Sequence, residues 1–391
     1  MYKIKQVPED FFVKEVARRD FREKGDYAYY LMRKRNYTTQ RAAERVADFL
    51  GISNSAVGYA GLKDRNAVTE QFISVRSKNS PERISLPDIE LELLGRGYLK
   101  IGIGELEGNQ FRIIVRNLEP SDLIRLYNRF TDEEIREDFQ LSESGIQVLV
   151  SELNEIASSG RIFFPNYFGS QRFSKHNWEV GMLILKRDFE AALKKILSFD
   201  IPEDVLGENW GSWNKLIEHA KARFSREILQ HLTQNSSDYI GALRRIPKRI
   251  LRLYIGGFQA RIFNKVLASL VSERFEEYFE VEQAGGRMVF PAKAIRSSVG
   301  ETIPLPGFGS ENSRIVQALA EEGVSPRDFI IREMPELSAE GSERQAFCEA
   351  ENLEIGNLEK DELNSGKFKI TISFYLRKGS YATVFLRSML G

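Results

Sequence analysis

The sequence predicts an α+β chain whose sheet is completed by its last strand and interrupted by a mainly helical segment. Three observations predict it. Phe368, Ile370, Ile372, Phe374 and Leu376 alternate with Lys369, Thr371, Ser373 and Tyr375, which is period two with one buried face. Residues 1 to about 116 mix short β-prone runs with one amphipathic helix. Between about 186 and 345 the pattern turns helical, then gives way to the closing strand. A sheet opened early and finished late implies an insertion between its parts.

The first β-prone run is Phe11–Val16, after the turn-like Pro8-Glu9-Asp10. Thr38 or Thr39 can N-cap a helix striped by Ala42, Ala43, Val46, Ala47 and Leu50, and Gly51 supplies its stop. Phe72–Arg76 and Gln110–Arg116 read as strands; in the second, Phe111, Ile113 and Val115 share one face, Arg112 and Arg116 the other. Leu183–Leu197 and Leu243–Val271 carry helical spacing, the second interrupted by Gly256-Gly257. A Pro/Gly-rich loop, Pro304–Gly309, breaks the segment.

Composition narrows the function classes. The 391 residues exceed one ordinary core, so two domains are expected. A hydrophobic share of 42% and a charged share of 29% are globular values that argue against disorder. No apolar stretch is long enough to span a bilayer, and the N-terminus lacks a secretory core, so the expectation is a cytoplasmic protein. The single cysteine, Cys348, excludes an internal disulfide. His176, His219 and His231 form no zinc spacing with it, so acid–base work falls to carboxylates, lysines or tyrosines and no metal is expected. Gly102–Gly108 is glycine-rich but lacks the GxGxxG spacing and carries two glutamates where a pyrophosphate would lie.

Net charge is zero, from 56 basic and 56 acidic residues, but the charge is segregated. From Arg244 to Lys265 there are seven basic residues and no acids, including Arg244, Arg245, Lys248 and Arg249. These four are candidates for gripping a nucleic-acid backbone.

The most informative string is Gly58-Tyr-Ala-Gly-Leu-Lys-Asp-Arg-Asn-Ala-Val-Thr-Glu-Gln71. Lys63 and Arg65 flank Asp64 and favour its ionised form, giving a carboxylate usable as nucleophile or base in a loop that attracts a polyanion. Asn166-Tyr-Phe-Gly-Ser-Gln-Arg-Phe173 offers an amide able to read a polar edge and aromatics able to stack on a flat ring. Lys378-Gly-Ser-Tyr-Ala-Thr-Val-Phe-Leu-Arg387 turns after the last strand and delivers Tyr381 to the end of the sheet.

These three strings, in this order, closely resemble the signatures of the TruD family of RNA pseudouridine synthases. Lys5 with Pro8–Phe11, Gly108–Phe111 and Phe258–Asn264 are similar to further family stretches. The resemblance implies a pseudouridine-synthase core, a mixed, largely antiparallel sheet flanked by helices, with an inserted TRUD-type domain. It places a first catalytic part at 1–185, the insertion at 186–345 and the returning catalytic part at 346–391. It implies isomerisation of uridine, typically uridine 13 of tRNA, with no cofactor and no obligate protein partner. Asp64 would be the catalytic carboxylate, with Phe168 stacking on the uracil and Asn166 holding its edge or orienting the loop. Phe11 and Tyr381 would shape the pocket, and Lys5 or Arg387 would keep Asp64 charged. Two positions depart from the family: Ser174 stands where glycine is common, and Ser388 where glutamate is. The alternative is a non-catalytic RNA-binding protein or RNA chaperone on the same scaffold, but Asp64 and Phe168 are both present.

Overall fold

A computed structural model describes every residue except Lys78, Glu133, Glu137, Asp138 and Gln140, and the side chains of Ser174 and Lys175. The chain forms two compact units. The first comprises Met1–Phe164, Lys293–Ser298 and Cys348–Gly391, the second Pro165–Ala292 and Val299–Phe347. The first break falls at 164/165, earlier than the expected 185/186. The cause is the helix Asn177–Leu185, which packs on the long helix Lys248–Arg274.

The strands of the first unit are β1 (Phe11–Val16), β2 (Tyr27–Arg35), β3 (Val57–Tyr59), β4 (Val68–Val75), β5 (Arg83–Leu86), β6 (Ile89–Gly97), β7 (Gly108–Leu118) and β8 (Ile162–Pro165). The second unit holds β9 (Tyr278–Gln283), β10 (Gly286–Pro291), β11 (Thr302–Leu305) and β12 (Ser342–Gln345). The chain then returns with β13 (Phe347–Ile355), β14 (Glu359–Lys360) and β15 (Phe368–Arg377).

Eleven strands form one sheet in the order β5-β6-β2-β4-β1-β7-β15-β13-β8, with β14 on β15 and β3 on β4. β1 and β4 run parallel, while β2, β3, β5, β6, β7, β13, β14 and β15 make antiparallel pairings. The alternating strand of the C-terminal region thus lies inside the sheet, between β7 and β13, with Ile370, Ile372, Phe374 and Leu376 buried. Phe374 stacks on Phe111 of β7 and meets Phe385 edge-on.

The helix Thr39–Leu50 forms as expected. Thr38 caps it through the Arg41 N–H, and Gly51 closes it at φ 65°. Its stripe Ala42, Ala43, Val46 and Ala47 buries against Tyr30 and Met32 of β2 and Ile73 and Val75 of β4. The strands expected at Phe72–Arg76 and Gln110–Arg116 are longer, Val68–Val75 and Gly108–Leu118. Arg116 does not share a solvent face with Arg112. It is buried, held by Asp10 and Asp361 at 2.8 Å each and by Glu362 at 3.0 Å. Burial would raise the Asp361 carboxyl, but N–H groups of Asn117, Asn364 and Leu363 together with Arg116 hold it below the usual range.

Two helical expectations in the second unit need correction. The Leu183–Leu197 pattern is two helices, Asn177–Leu185 and Phe189–Leu197, parted by Arg187 at φ 64°. The Leu243–Val271 pattern is a short helix, Tyr239–Leu243, and a continuous one, Lys248–Arg274, that runs through Gly256-Gly257. There the glycines are packing surfaces. A Cβ on Gly256 would lie 2.2 Å from the Arg172 guanidinium, and one on Gly181 of the facing helix 2.2 Å from the Tyr254 carbonyl oxygen. No helix of the described residues is long and apolar enough to cross a membrane.

Candidate active site

Asp64 sits in the loop between β3 and β4. Parallel pairing of β1 with β4 brings Phe12 beside Val68, so the chain's first strand runs next to this loop. The loop is braced from beneath by side chains of three elements. The Thr39 hydroxyl accepts the Lys63 N–H at 2.8 Å and donates to Gln71 Oε1 at 2.8 Å. The Gln71 amide donates to the Gly61 carbonyl at 3.2 Å. Lys34, fully buried in β2, donates from Nζ to the carbonyl oxygens of Asp64 at 2.9 Å and Tyr37 at 2.5 Å.

The Asp64 carboxylate is 32% exposed and accepts from Lys5 Nζ at 2.5 Å. Lys5 takes φ 58°, rare for a residue with a Cβ, and the Asn66 amide donates to its carbonyl at 2.7 Å. The ring of Phe11, buried against Phe111, lies 3.9 Å from the Lys5 ammonium. Phe11 therefore supports the cation that holds Asp64.

The sequence neighbours of Asp64 behave differently from the expectation of two flanking cations. Lys63 turns inward to an ion pair with Glu15 at 3.0 Å and a hydrogen bond to Asn109 Oδ1. Its burial lowers the ammonium pKa against the pull of Glu15. Arg65 is exposed. Arg387, in the last turn of the helix Ala382–Leu390, lies by Tyr2, whose phenol is pushed up by burial and lowered by that guanidinium. Tyr381 starts the same helix, after a turn in which Gly379 adopts φ 89°. Ser388 donates to the Phe385 carbonyl at 2.7 Å.

In the second unit, Asn166 and Phe168 are buried. The Asn166 amide is committed at both ends. Its Nδ2 donates to the Gln345 carbonyl at 3.0 Å and its Oδ1 accepts from Arg344 at 2.7 Å. That favours orienting the loop over holding a base edge. The Arg344 guanidinium also lies 4.1 Å from the centre of the Phe168 ring, and Phe263 meets that ring edge-on at 5.4 Å. Asn264 clamps the Phe168 main chain, accepting its N–H at 2.9 Å and donating to its carbonyl at 3.0 Å.

The basic segment splits. Arg244 donates to the Glu333 carbonyl and Arg245 to His231, while Lys248 and Arg249 are exposed in the first turn of the long helix. Arg261 and Lys265, further along, pair with Glu322 and Glu321.

Sequence reasoning missed Lys34, Glu15, Arg344 and Asn264. The first two had a signal. Lys34 ends the inward row Ala28, Tyr30, Met32 of β2, and Glu15 ends the inward row Phe11, Val13 of β1. A charge that continues an apolar row is buried, and so paired. Asn264 had only its place at the end of the family-like stretch Phe258–Asn264, and Arg344 had none. Among the described residues no group of three His, Cys, Asp or Glu side chains is placed to hold a metal ion.

The model of the family tRNA pseudouridine synthase D (TruD) matches residues 2–303 and 293–389. The chain belongs to the TruD family. A protein from Methanocaldococcus jannaschii named probable tRNA pseudouridine synthase D 2 is 31% identical over all of this chain and 92% of its own length. The tRNA pseudouridine synthase D of Aquifex aeolicus is 28% identical over 99% of this chain and 97% of its own. A TruD crystal structure from Methanosarcina mazei superposes with a TM-score of 0.69 at 27% identity, covering 99% of this chain and 93% of that one. Membership makes this chain an isomerase of uridine in tRNA, on a mixed sheet of the TruD type.

Proposed function

We propose that this synthase converts uridine 13 of tRNA to pseudouridine with Asp64 as its catalytic carboxylate. The observation that carries the reading is the Asp64 side chain itself: partly exposed, paired to Lys5, and set on a loop whose main chain is held at Gly61, Lys63 and Asp64. A carboxylate fixed in this way needs little reorganisation when it acts.

The reaction breaks N1–C1′, turns the uracil and joins C5 to C1′, with the C5 proton lost and N1 regaining one. Atoms balance without a cofactor. Asp64 serves as nucleophile or base at the ribose or base. Lys5 holds the carboxylate by a charge-assisted hydrogen bond, and Phe11 keeps Lys5 in place. By motif, Phe168 is assigned to stacking on the flipped uracil and Asn166 to orienting its segment. Flipping costs a few kcal/mol, offset by contacts in the pocket. The first unit is read as the catalytic domain, the second as the inserted TRUD-type domain. Lys248 and Arg249, with Arg244 and Arg245 beside them, are assigned to the RNA backbone, and the enzyme to the cytoplasm.

The test is pseudouridine mapping of unmodified tRNA after incubation with wild type or Asp64→Asn. Product from the wild type alone, at position 13, with tRNA affinity of the variant within about threefold, is expected. Turnover by Asp64→Asn would remove the assignment, and product at another position would remove uridine 13.

A further inference from the structure

We propose that Lys34 is a positioning residue for the reaction, fixing Asp64 through its main-chain carbonyl while Lys5 fixes the carboxylate. The inference rests on the reading of Asp64 as catalytic.

The geometry is specific. Lys34 is 0% exposed, and its ammonium reaches two carbonyl oxygens, Asp64 at 2.9 Å and Tyr37 at 2.5 Å. It thereby ties the catalytic loop to the turn that leads into the helix Thr39–Leu50. Ala28, Tyr30 and Met32, which precede it on the inward face of β2, show that an apolar side chain suits this row. An apolar residue there would avoid the desolvation cost of a buried ammonium.

That cost is visible. Burial pulls Lys34 down to about 8; Asp64 opposes the shift and Lys63 adds to it. The charged groups around it are Asp64 and Lys63 of the loop, then Lys5 on Asp64 and Glu15 on Lys63. Its strand partners Thr69 of β4 and Ile89 of β6 bring no charge. Because the folded state holds this proton more weakly than the unfolded chain, the group's contribution to stability rises with pH above about 8. The charged form is therefore carried at the expense of stability, as expected of a side chain kept for the site and not for the fold. Charge-assisted hydrogen bonds are about twice as strong as neutral ones, so the neutral amine is a weaker clamp.

The experiment compares single-turnover rates of wild type, Lys34→Arg, Lys34→Met and Asp64→Asn on folded tRNA from pH 6.5 to 9.5, with tRNA affinity measured alongside. The wild-type rate should fall about tenfold between pH 7 and 9.5 at constant affinity. Lys34→Met should lose about 100-fold at pH 7 with affinity within threefold, since small displacements of a reacting group cost that much. Lys34→Arg should recover part of the rate and lose the alkaline fall. A flat wild-type profile, a Lys34→Met rate within threefold of wild type, or an unchanged alkaline fall in Lys34→Arg would each overturn the proposal. If neither Lys34 variant folds, hydrogen exchange in the wild type decides: residues 60–67 should lose protection between pH 7 and 9.5 relative to β4, and equal protection sinks the idea. Turnover by Asp64→Asn would remove the underlying reading; an inert Asp64→Asn with a flat wild-type profile would remove Lys34 alone.

Discussion

The loop carrying Asp64 and the segment Asn166–Phe173 are both braced by side chains from distant stretches of sequence, but they leave different amounts of their motifs reachable. Around Asp64 the supports are buried and the carboxylate is not: Lys34 and Thr39 are fully enclosed, while the Asp64 side chain is 32% exposed. In the second segment the motif residues are themselves enclosed, Asn166 at 5% and Phe168 at 9%, with Arg344 bonded to one and laid over the ring of the other. The first region presents a carboxylate to solvent, while Asn166 in the second holds a shape. A motif residue can thus matter through its own chemistry or by keeping neighbours in register, and burial with saturated hydrogen bonds tells the two apart.

Three substitutions sharpen that contrast. The largest expected effect is on stability at Lys63→Met, which strands the Glu15 carboxylate, 0% exposed, without its cation. Breaking a buried pair from one side costs about 3–5 kcal/mol, so the denaturation midpoint should drop sharply. The double variant Glu15→Gln/Lys63→Met should recover much of the loss, and failure to do so would mean that Lys63 stabilises the loop by some other route.

Next is Lys5→Met, whose partner is partly solvated, so its effect belongs to turnover. A fall of about 100-fold in single-turnover rate, with the unfolding transition nearly unmoved, is expected. A protein destabilised as badly as Lys63→Met would erase the distinction between presented group and buried support.

Asn166→Ala comes last. It removes an acceptor from Arg344 and a donor from the Gln345 carbonyl, costing about 2 kcal/mol of stability. Calorimetry checks it. Lost turnover with unchanged stability would instead make Asn166 a group that meets the base.

What was legible in the sequence follows from how local each signal is. The alternation in β15 and the cap-to-glycine span of the helix Thr39–Leu50 depend on residues within a turn or a strand of each other, and both elements stand as read. The motif around Asp64 was legible as a family resemblance. The partner of Asp64 was harder, because sequence adjacency favours Lys63 and Arg65, yet the loop turns Lys63 inward to Glu15, and Lys5, 59 positions away, meets the carboxylate. Gly256-Gly257 misled for a related reason. Alone they weaken a helix, and only the close approach of Arg172 and Asn177 shows why small residues stand there. Arg344 had no local pattern, since its role exists only once β12 lies beside Asn166.

The buried cluster of Arg116 has a consequence for how the protein is made. It joins Asp10 and Asp361 across Arg116, the second contact spanning 245 positions, and β15 enters the sheet between strands that flank it in space. During synthesis β7 emerges long before its neighbour. Until β15 arrives, one edge of β7 stays open and Arg116 has Asp10 but lacks Asp361 and Glu362, a condition in which nascent chains are prone to associate. Completion of the eleven-stranded sheet is thus a late, long-range event, and the timing of translation becomes part of this enzyme's folding problem.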